Sequence, residues 1–249
     1  MGADRNRDLL WCAADAHLSE GDKALAVFCE WLRSFEEAEV STLVLLGDLF
    51  RVWIGLPSAQ TSEQEDLLGR IGSLASRGRT IVYLSGNRDY FAEVAGKRQG
   101  LLVLDSWVFN APGGTKIRFE HGHLVNTSDR RYLRWHSLTR SLPVKAAFRA
   151  LPIRWQRGLA RRIEERLSGT NVTYKNYEPT HELDAWASRL KSEGVTAAVL
   201  GHFHLDAVKE ISGLPVRFVP QFREEGLHLR IGADGAQSLV SFPVSAKTR

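Results

Sequence analysis

The side chains with the clearest chemical potential in this 249-residue chain are Asp15, His17, Asp48, Asn87, His121, His202 and His204. Each lies just beyond a short apolar run. The run 9–14 leads to Asp15-Ala16-His17, 42–46 to Gly47-Asp48, 80–84 to Ser85-Gly86-Asn87-Arg88-Asp89, 116–119 to Glu120-His121-Gly122-His123, and 197–200 to Gly201-His202-Phe203-His204. Apolar runs of this length bounded by turn residues predict buried strands, and ligands of an open α/β sheet gather at the carboxyl ends of its strands. A lone Gly-Asp is more often an ordinary turn, and a lone histidine more often a satisfied core residue. Neither explanation covers five strand ends that deliver Asp, Asn and His to one edge. Seven nitrogen and oxygen donors exceed what one tetrahedral ion takes and suit two adjacent ions, which lie about 3.5–4 Å apart in two-metal hydrolases. Asp48 is the expected bridge, because an anionic oxygen pair can bind both cations and offset their repulsion. Imidazole and carboxylate donors without thiolate favour Mn, Fe, Zn or Co over Ca.

The elements that must hold these residues are legible in the spacing. Between the first two runs, Leu25, Phe28, Leu32 and Phe35 recur at three- and four-residue steps, which predicts a crossover helix over 22–37. Thr61 or Ser62 caps a second helix with Leu67, Leu68, Ile71 and Leu74 inward and Gly78 as its stop. Strand, helix, strand, helix, strand in this order predicts parallel pairing. From Leu101 the pattern changes: 101–108 and 115–120 flank Asn110-Ala111-Pro112-Gly113-Gly114, a hairpin signal that makes the sheet mixed. The runs 207–211, 216–219, 227–231 and 238–242 read as a β-meander forming a second sheet. Trp53 sits in a loop too apolar for the surface, where it either caps the core or lines a substrate pocket.

One stretch is composed differently. Residues 129–193 read as a helical insertion, and arginines at 130, 131, 134, 140, 149, 154, 157, 161, 162 and 166 hold most of the basic excess of a chain whose net charge is +4. Trp155, Leu159, Ile163 and Leu167 step by four along one side, with Arg154, Arg157 and Arg161 on another. Such a face either packs on the core with its arginines in water or meets anionic lipid or phosphate. The two cysteines, Cys12 and Cys29, have no metal-ligand spacing and read as free thiols in a reducing compartment. No apolar leader opens the chain and no run approaches the roughly 18 residues of a membrane span, so the expectation is a cytoplasmic protein, with a peripheral seat on the inner face of the membrane left open.

Asp-x-His, Gly-Asp, Gly-Asn-x-Asp, His and Gly-His-x-His, in this order over Asp15 to His204, resemble the calcineurin-like metallophosphoesterases. The resemblance implies a four-layer α/β/β/α sandwich with mixed sheets, a single domain with a helical lid, and two divalent transition-metal ions, Mn before Fe or Zn, that activate water for attack on phosphorus. It assigns Asp15, His17 and His204 to one ion and Asn87, His121 and His202 to the other, with Asp48 between them. Gly47 to Gly55, Gly86-Asn87-Arg88-Asp89-Tyr90-Phe91 and the basic helical insertion resemble, more narrowly, the UDP-2,3-diacylglucosamine pyrophosphohydrolases of lipid A synthesis. That likeness implies cleavage to UMP and 2,3-diacylglucosamine 1-phosphate, with Asp48, Asn87, Arg88 and His121 in the chemistry. Arg88, Asp129, Asn171, Lys175, Trp53 and His202 would meet substrate. Its partners would be the glycolipid pyrophosphate and an anionic membrane surface, with no obligate protein partner. Arg88 is informative because many relatives have His at that place, whereas a guanidinium can clamp a pyrophosphate at fixed charge. Leu56-Pro57, His123, where an Asp is usual, and Val219-Pro220-Gln221-Phe222 depart from the narrower pattern. The competing readings are a phosphoesterase for a small phosphodiester or nucleic acid, which Tyr132, Trp135 and Trp155 among the arginines would suit, and a non-catalytic scaffold.

Overall fold

A computed structural model describes residues 8–168 and 178–243. The chain begins β1 (Asp8–Ala13), α1 (Lys23–Glu37), β2 (Thr42–Leu45), β3 (Trp53–Ile54), α2 (Ser62–Ser76), β4 (Thr80–Leu84), β5 (Asp89–Tyr90) and α3 (Ala92–Gln99). It continues β6 (Leu102–Leu104), β7 (Ser106–Asn110), β8 (Lys116–Glu120), α4 (Arg130–Thr139), α5 (Leu142–Ala150), α6 (Ile153–Ser168) and α7 (Thr180–Ser192). It ends β9 (Ala197–Leu200), β10 (Ala207–Ile211), β11 (Leu214–Phe218), α8 (Phe222–Glu225), β12 (Leu227–Gly232) and β13 (Gln237–Ser241). One sheet runs β13-β12-β1-β2-β4-β6 and the other β10-β11-β9-β8-β7, with β3 and β5 as a separate pair.

Alternation along the strands generates the layers. Leu10 and Cys12 of β1 point between the sheets with Val44, Val82, Leu84, Ile117, Phe119 and Val199. Trp11 and Ala13 point the other way, onto Phe28, Trp31, Leu32 and Phe35 of α1, while Leu67, Leu68, Ile71 and Leu74 of α2 close the same face. On the far side, Leu183, Trp186 and Leu190 of α7 cover Leu200, Val216 and Phe218. The result is the expected α/β/β/α sandwich. The helix starts follow local chemistry: Asp22 accepts from the Ala24 N–H, and Thr61 with Gln64 forms a capping box.

The C-terminal strands correct one expectation. They are not a single meander, because β10 and β11 pair in the second sheet while β12 and β13 return to the first, beside β1. Gln221 bridges to Ala14, and the Phe222 N–H donates to the Ala14 carbonyl, which carries the chain from one sheet to the other. The run 101–108 likewise divides at Asp105 into β6, an edge of the first sheet, and β7, which forms the expected hairpin with β8 in the second. The helical stretch also divides. Helix α7 is the outer layer of the sandwich, so the excursion consists of α4, α5 and α6, anchored by Val144, Phe148, Leu151, Ala160 and Ile163 on Val52, Ile54, Leu56 and Phe91. The row Trp155, Leu159, Ile163 does not pack as one stripe. Four residues advance a helix by about 400°, so the row drifts and the inward positions of α6 are Gln156, Ala160 and Ile163. Trp155 and Leu159 are 60% and 38% exposed.

His228 of β12 is fully buried against Trp11 and Trp31, its Nδ1–H donating to the Gly226 carbonyl and its Nε2 accepting from Arg230 Nε at 3.0 Å. Burial lowers its pKa to about 4, with Arg230 adding to the effect. A histidine with a lowered folded-state pKa contributes stability that is complete above its ordinary value near 6.5 and is lost as pH falls through about 4. We expect wild type to lose on the order of 3 kcal/mol more stability than His228→Gln between pH 7 and pH 4, measured by denaturant unfolding across that range.

Candidate metal centre

The two central parallel strands place the carboxylates. The Leu46 N–H donates to the Ala13 carbonyl at 2.8 Å and the His17 N–H to the Asp48 carbonyl at 3.0 Å, so the loops after β1 and β2 continue the ladder beyond the strands. The backbone then turns into the left-handed region at Asp15 (φ 50°), His17 (45°), Asp48 (50°), His202 (62°) and His204 (53°). Non-glycine residues rarely adopt this conformation, at a cost of roughly 1–3 kcal/mol each, and where they do the surroundings over-determine it. Here the strain gathers at ligand candidates. Gly47 (φ 82°) is required by close approach, because a Cβ there would lie 2.6 Å from His121 Nδ1. At Gly86 a Cβ would overlap the Asp48 carboxylate.

Two groups of donors result. Asp15 Oδ1 lies 3.4 Å from His204 Nε2 and 3.8 Å from His17 Nε2. His121 Nε2 lies 3.2 Å from Asn87 Oδ1, 3.8 Å from Asp48 Oδ2 and 4.0 Å from Asp15 Oδ1. The His202 ring is 5.2 Å from that of His121, and the His202 N–H donates to Asp15 Oδ2 at 2.8 Å. Asp15 is thus the carboxylate common to both groups, while Asp48, which the sequence argued to be the bridge, falls in the second.

Outer contacts aim these ligands. His121 Nδ1–H donates to the Leu46 carbonyl at 2.6 Å, so that Nε2 is the nitrogen facing the centre. Asp48 Oδ1 accepts from the Arg88 N–H at 2.8 Å, and the Arg88 guanidinium lies 3.6 Å from Asp48 Oδ2 while donating to the Arg51 carbonyl. Asp89 Oδ2 accepts from both the Asp48 N–H (3.1 Å) and the Gly86 N–H (2.7 Å), clasping the two loops.

Electrostatics fit a cation. Burial raises the Asp48 pKa to about 7, against the pull of His121 and with Asp89 and Asp15 adding to the rise. At Asp15 burial also acts upward, but the imidazoles of His121, His204 and His17 outweigh it and hold the carboxyl below the usual range. Burial lowers His17 and His202 to about 3, which leaves both neutral and able to donate a lone pair. Asp15 Oδ1, both nitrogens of His17 and His204 Nδ1 are buried without a hydrogen-bond partner among the described residues. Unpartnered polar atoms on carboxylate and imidazole groups that approach one another to 3–4 Å are what divalent ions would satisfy. Both groups meet the spacing of a metal site: Asp15, His17 and His204, and Asp15, Asp48 and His121.

The family profile of the calcineurin-like phosphoesterases matches residues 9–206. The chain belongs to that family. It is a metal-dependent phosphoester hydrolase, and the family implies divalent metal ions, for which these donors are candidates. Among curated relatives, a UDP-2,3-diacylglucosamine hydrolase of Ralstonia nicotianae is 29% identical over 77% of this chain and 75% of its own length. Enzymes of the same name from Serratia proteamaculans (28%; 92% and 97% covered) and Neisseria meningitidis serogroup B (27%; 90% and 94%) are also similar. An archaeal phosphodiesterase of known structure shares the fold at a TM-score of 0.50 with 11% identity, covering 94% of this chain and 99% of that one.

The other expected substrate residues fall differently. Trp53 is fully buried in T-shaped contact with Phe50 and Tyr83, so it is a core residue and not a pocket wall. Asp129 caps α4, accepting from the Tyr132 N–H at 2.9 Å. Asn171 and Lys175 lie outside the described residues. Sequence reasoning missed His136, whose Nε2 is 3.1 Å from His123 Nε2, and Arg140, which reaches the Asn87 loop. Both sit on an arginine-rich helix where spacing marks no residue out.

We expect Asp48→Asn to abolish hydrolysis and to lower bound metal, since an amide lacks both the charge and the second anionic oxygen. Elemental analysis beside turnover checks this. Full metal content with a wild-type rate would contradict the assignment.

Proposed function

We propose that this hydrolase cleaves the pyrophosphate of UDP-2,3-diacylglucosamine to UMP and 2,3-diacylglucosamine 1-phosphate, with two divalent ions, Mn preferred, at Asp15, His17, Asp48, Asn87, His121, His202 and His204. The observation that carries the substrate class is the excursion next to the centre. Trp135, Leu138, Leu142, Ile153, Trp155 and Leu159 of α4–α6 are exposed, Leu142 to 77%, among the exposed arginines Arg134, Arg154, Arg157 and Arg161. A surface for nucleic acid needs cations and stacking rings. Exposed aliphatic side chains of this number suit acyl chains or a bilayer interface. No described helix is long and apolar enough to cross a membrane.

When bound, divalent ions there would bring the pKa of water from roughly 16 towards about 7 and offset charge growing on phosphate oxygens. The chain's own part is to hold geometry. Arg88, nine-tenths buried and tied to Asp48 and Arg51, presents a planar guanidinium fork. That suits a pyrophosphate better than a histidine would. The departing group is a phosphate monoester with a second pKa of about 6, which leaves as an anion and needs charge stabilisation more than a proton.

The discriminating assay offers purified, Mn-loaded protein UDP-diacylglucosamine, bis-p-nitrophenyl phosphate and single-stranded DNA. Preference for either of the last two would move the assignment to a phosphodiesterase. Arg88→Lys should retain metal yet lose about tenfold or more in rate on the first substrate, because a point charge cannot reproduce a fork across two oxygens. Arg88→Ala turning over that substrate as fast as wild type would remove the clamp from the account. On anionic vesicles, replacing Arg154, Arg157 and Arg161 by Gln should weaken binding about a hundredfold, at about 1 kcal/mol per arginine, and more at low salt. Hydrolysis of bis-p-nitrophenyl phosphate should survive the triple change. Equal, salt-insensitive partitioning of variant and wild type would argue against a membrane role.

A further inference from the structure

Asn87 lies in a turn between β4 and β5, next to Gly86, which must be glycine because the Asp48 carboxylate occupies the place of a Cβ. A glycine beside a ligand leaves the turn free to adopt several peptide orientations, and only one of them aims Asn87 Oδ1 at the centre. From inside, Asp89 fixes the Gly86 N–H at 2.7 Å. From outside, the C-cap residue of α4 completes the hold. Arg140 Nη2 donates to the Gly86 carbonyl at 3.1 Å and to the Asn87 carbonyl at 3.0 Å, and its guanidinium lies 4.7 Å from the centroid of the Tyr90 ring. Two consecutive carbonyls on one guanidinium fix both peptide planes and hence the direction of the Asn87 side chain. The next helix grips the same segment further on, Lys145 pairing with Glu93 at 2.7 Å and lying over the Phe91 ring.

We infer that Arg140 is a positioning residue for the ion at Asn87, Asp48 and His121, and that through it the helical excursion acts on that half of the centre alone. His17 and His204, which belong to the other group alone, sit in the loops after β1 and β9, whereas the hydrogen bonds of Arg140 go to Thr139, Gly86 and Asn87. The inference rests on the two-ion reading.

The experiment uses the full chain stripped by chelator and titrated with Co(II), the visible spectrum and elemental analysis reporting occupancy of each site. Wild type should take up two equivalents. Arg140→Ala should keep one tight equivalent and bind the other about 10- to 100-fold more weakly. Its kcat on bis-p-nitrophenyl phosphate should fall at limiting metal and recover at excess metal with KM unchanged. Arg140→Lys, which can still reach a carbonyl, should restore part of the affinity. Arg140→Met keeps the stem over Tyr90 without the donors and is the variant to read if Arg140→Ala does not fold. One equivalent in wild type would sink the two-ion reading. Two equally tight equivalents in both wild type and the donor-less variant, or a raised KM with metal binding intact, would overturn the role of Arg140 while leaving that reading in place.

Discussion

Two carboxylates, Asp15 and Asp48, are buried at about 1% exposure at the ends of adjacent parallel strands, each near the same His121 nitrogen. Like charges so placed cannot both ionise cheaply without cations, and removing solvent makes each charge more costly still. Most of what surrounds them answers that constraint. Asp15 draws on three imidazoles, and Asp48 draws on the Arg88 guanidinium and on its backbone N–H. The unresolved remainder appears as an Asp48 carboxyl held near neutrality and as orphaned nitrogens on His17 and His204. A site so arranged is complete only with positive charge at its middle.

Holding it requires rigidity that the loops do not possess by themselves. Left-handed backbone at Asp15, His17, Asp48, His202 and His204 is unfavourable at every one of these positions. It persists because the flanking strands are locked between two apolar layers, with Leu10, Cys12, Val44 and Leu84 on one side and Trp11, Ala13, Leu43 and Leu45 on the other. Core packing and ligand strain are therefore two ends of one lever. The sandwich supplies the stability, and the strand ends dissipate part of it in conformations that aim donors inward.

The candidate donors were legible in the chain because strand ends carry their own punctuation: an apolar run, a glycine or short turn, then the polar side chain. The layers were legible for a similar reason, since period-two and period-3.6 patterns state which face is buried. What stayed hidden were pairings set by partners remote in sequence. Nothing in 227–242 tells that β12 seeks β1 instead of β11, because any strand edge offers the same row of backbone N–H and C=O groups. Trp53 could be core or pocket until Phe50 and Tyr83 enclosed it. The row from Trp155 to Ile163 read as one stripe because a step of four nearly closes a helical turn, and the 40° or so of drift per step matters only when a specific surface lies opposite.

The same argument bears on the excursion. Its apolar anchor, Phe148 with Val144, Leu151 and Ile163 on Val52, Leu56 and Phe91, lies to one side of the metal loop, and its grip on that loop is polar, through Arg140. Apolar contact alone would hold three helices near the centre without fixing them to any angle, because hydrophobic burial is nondirectional. Guanidinium bonds to two successive carbonyls do fix an angle. Under the proposed reading, acyl chains among Trp135, Leu138 and Leu142 would lie on α4 and α5, on either side of Arg140. The lipid face and the turn that carries Asn87 would then share one attachment, already made through Arg140 before any lipid enters.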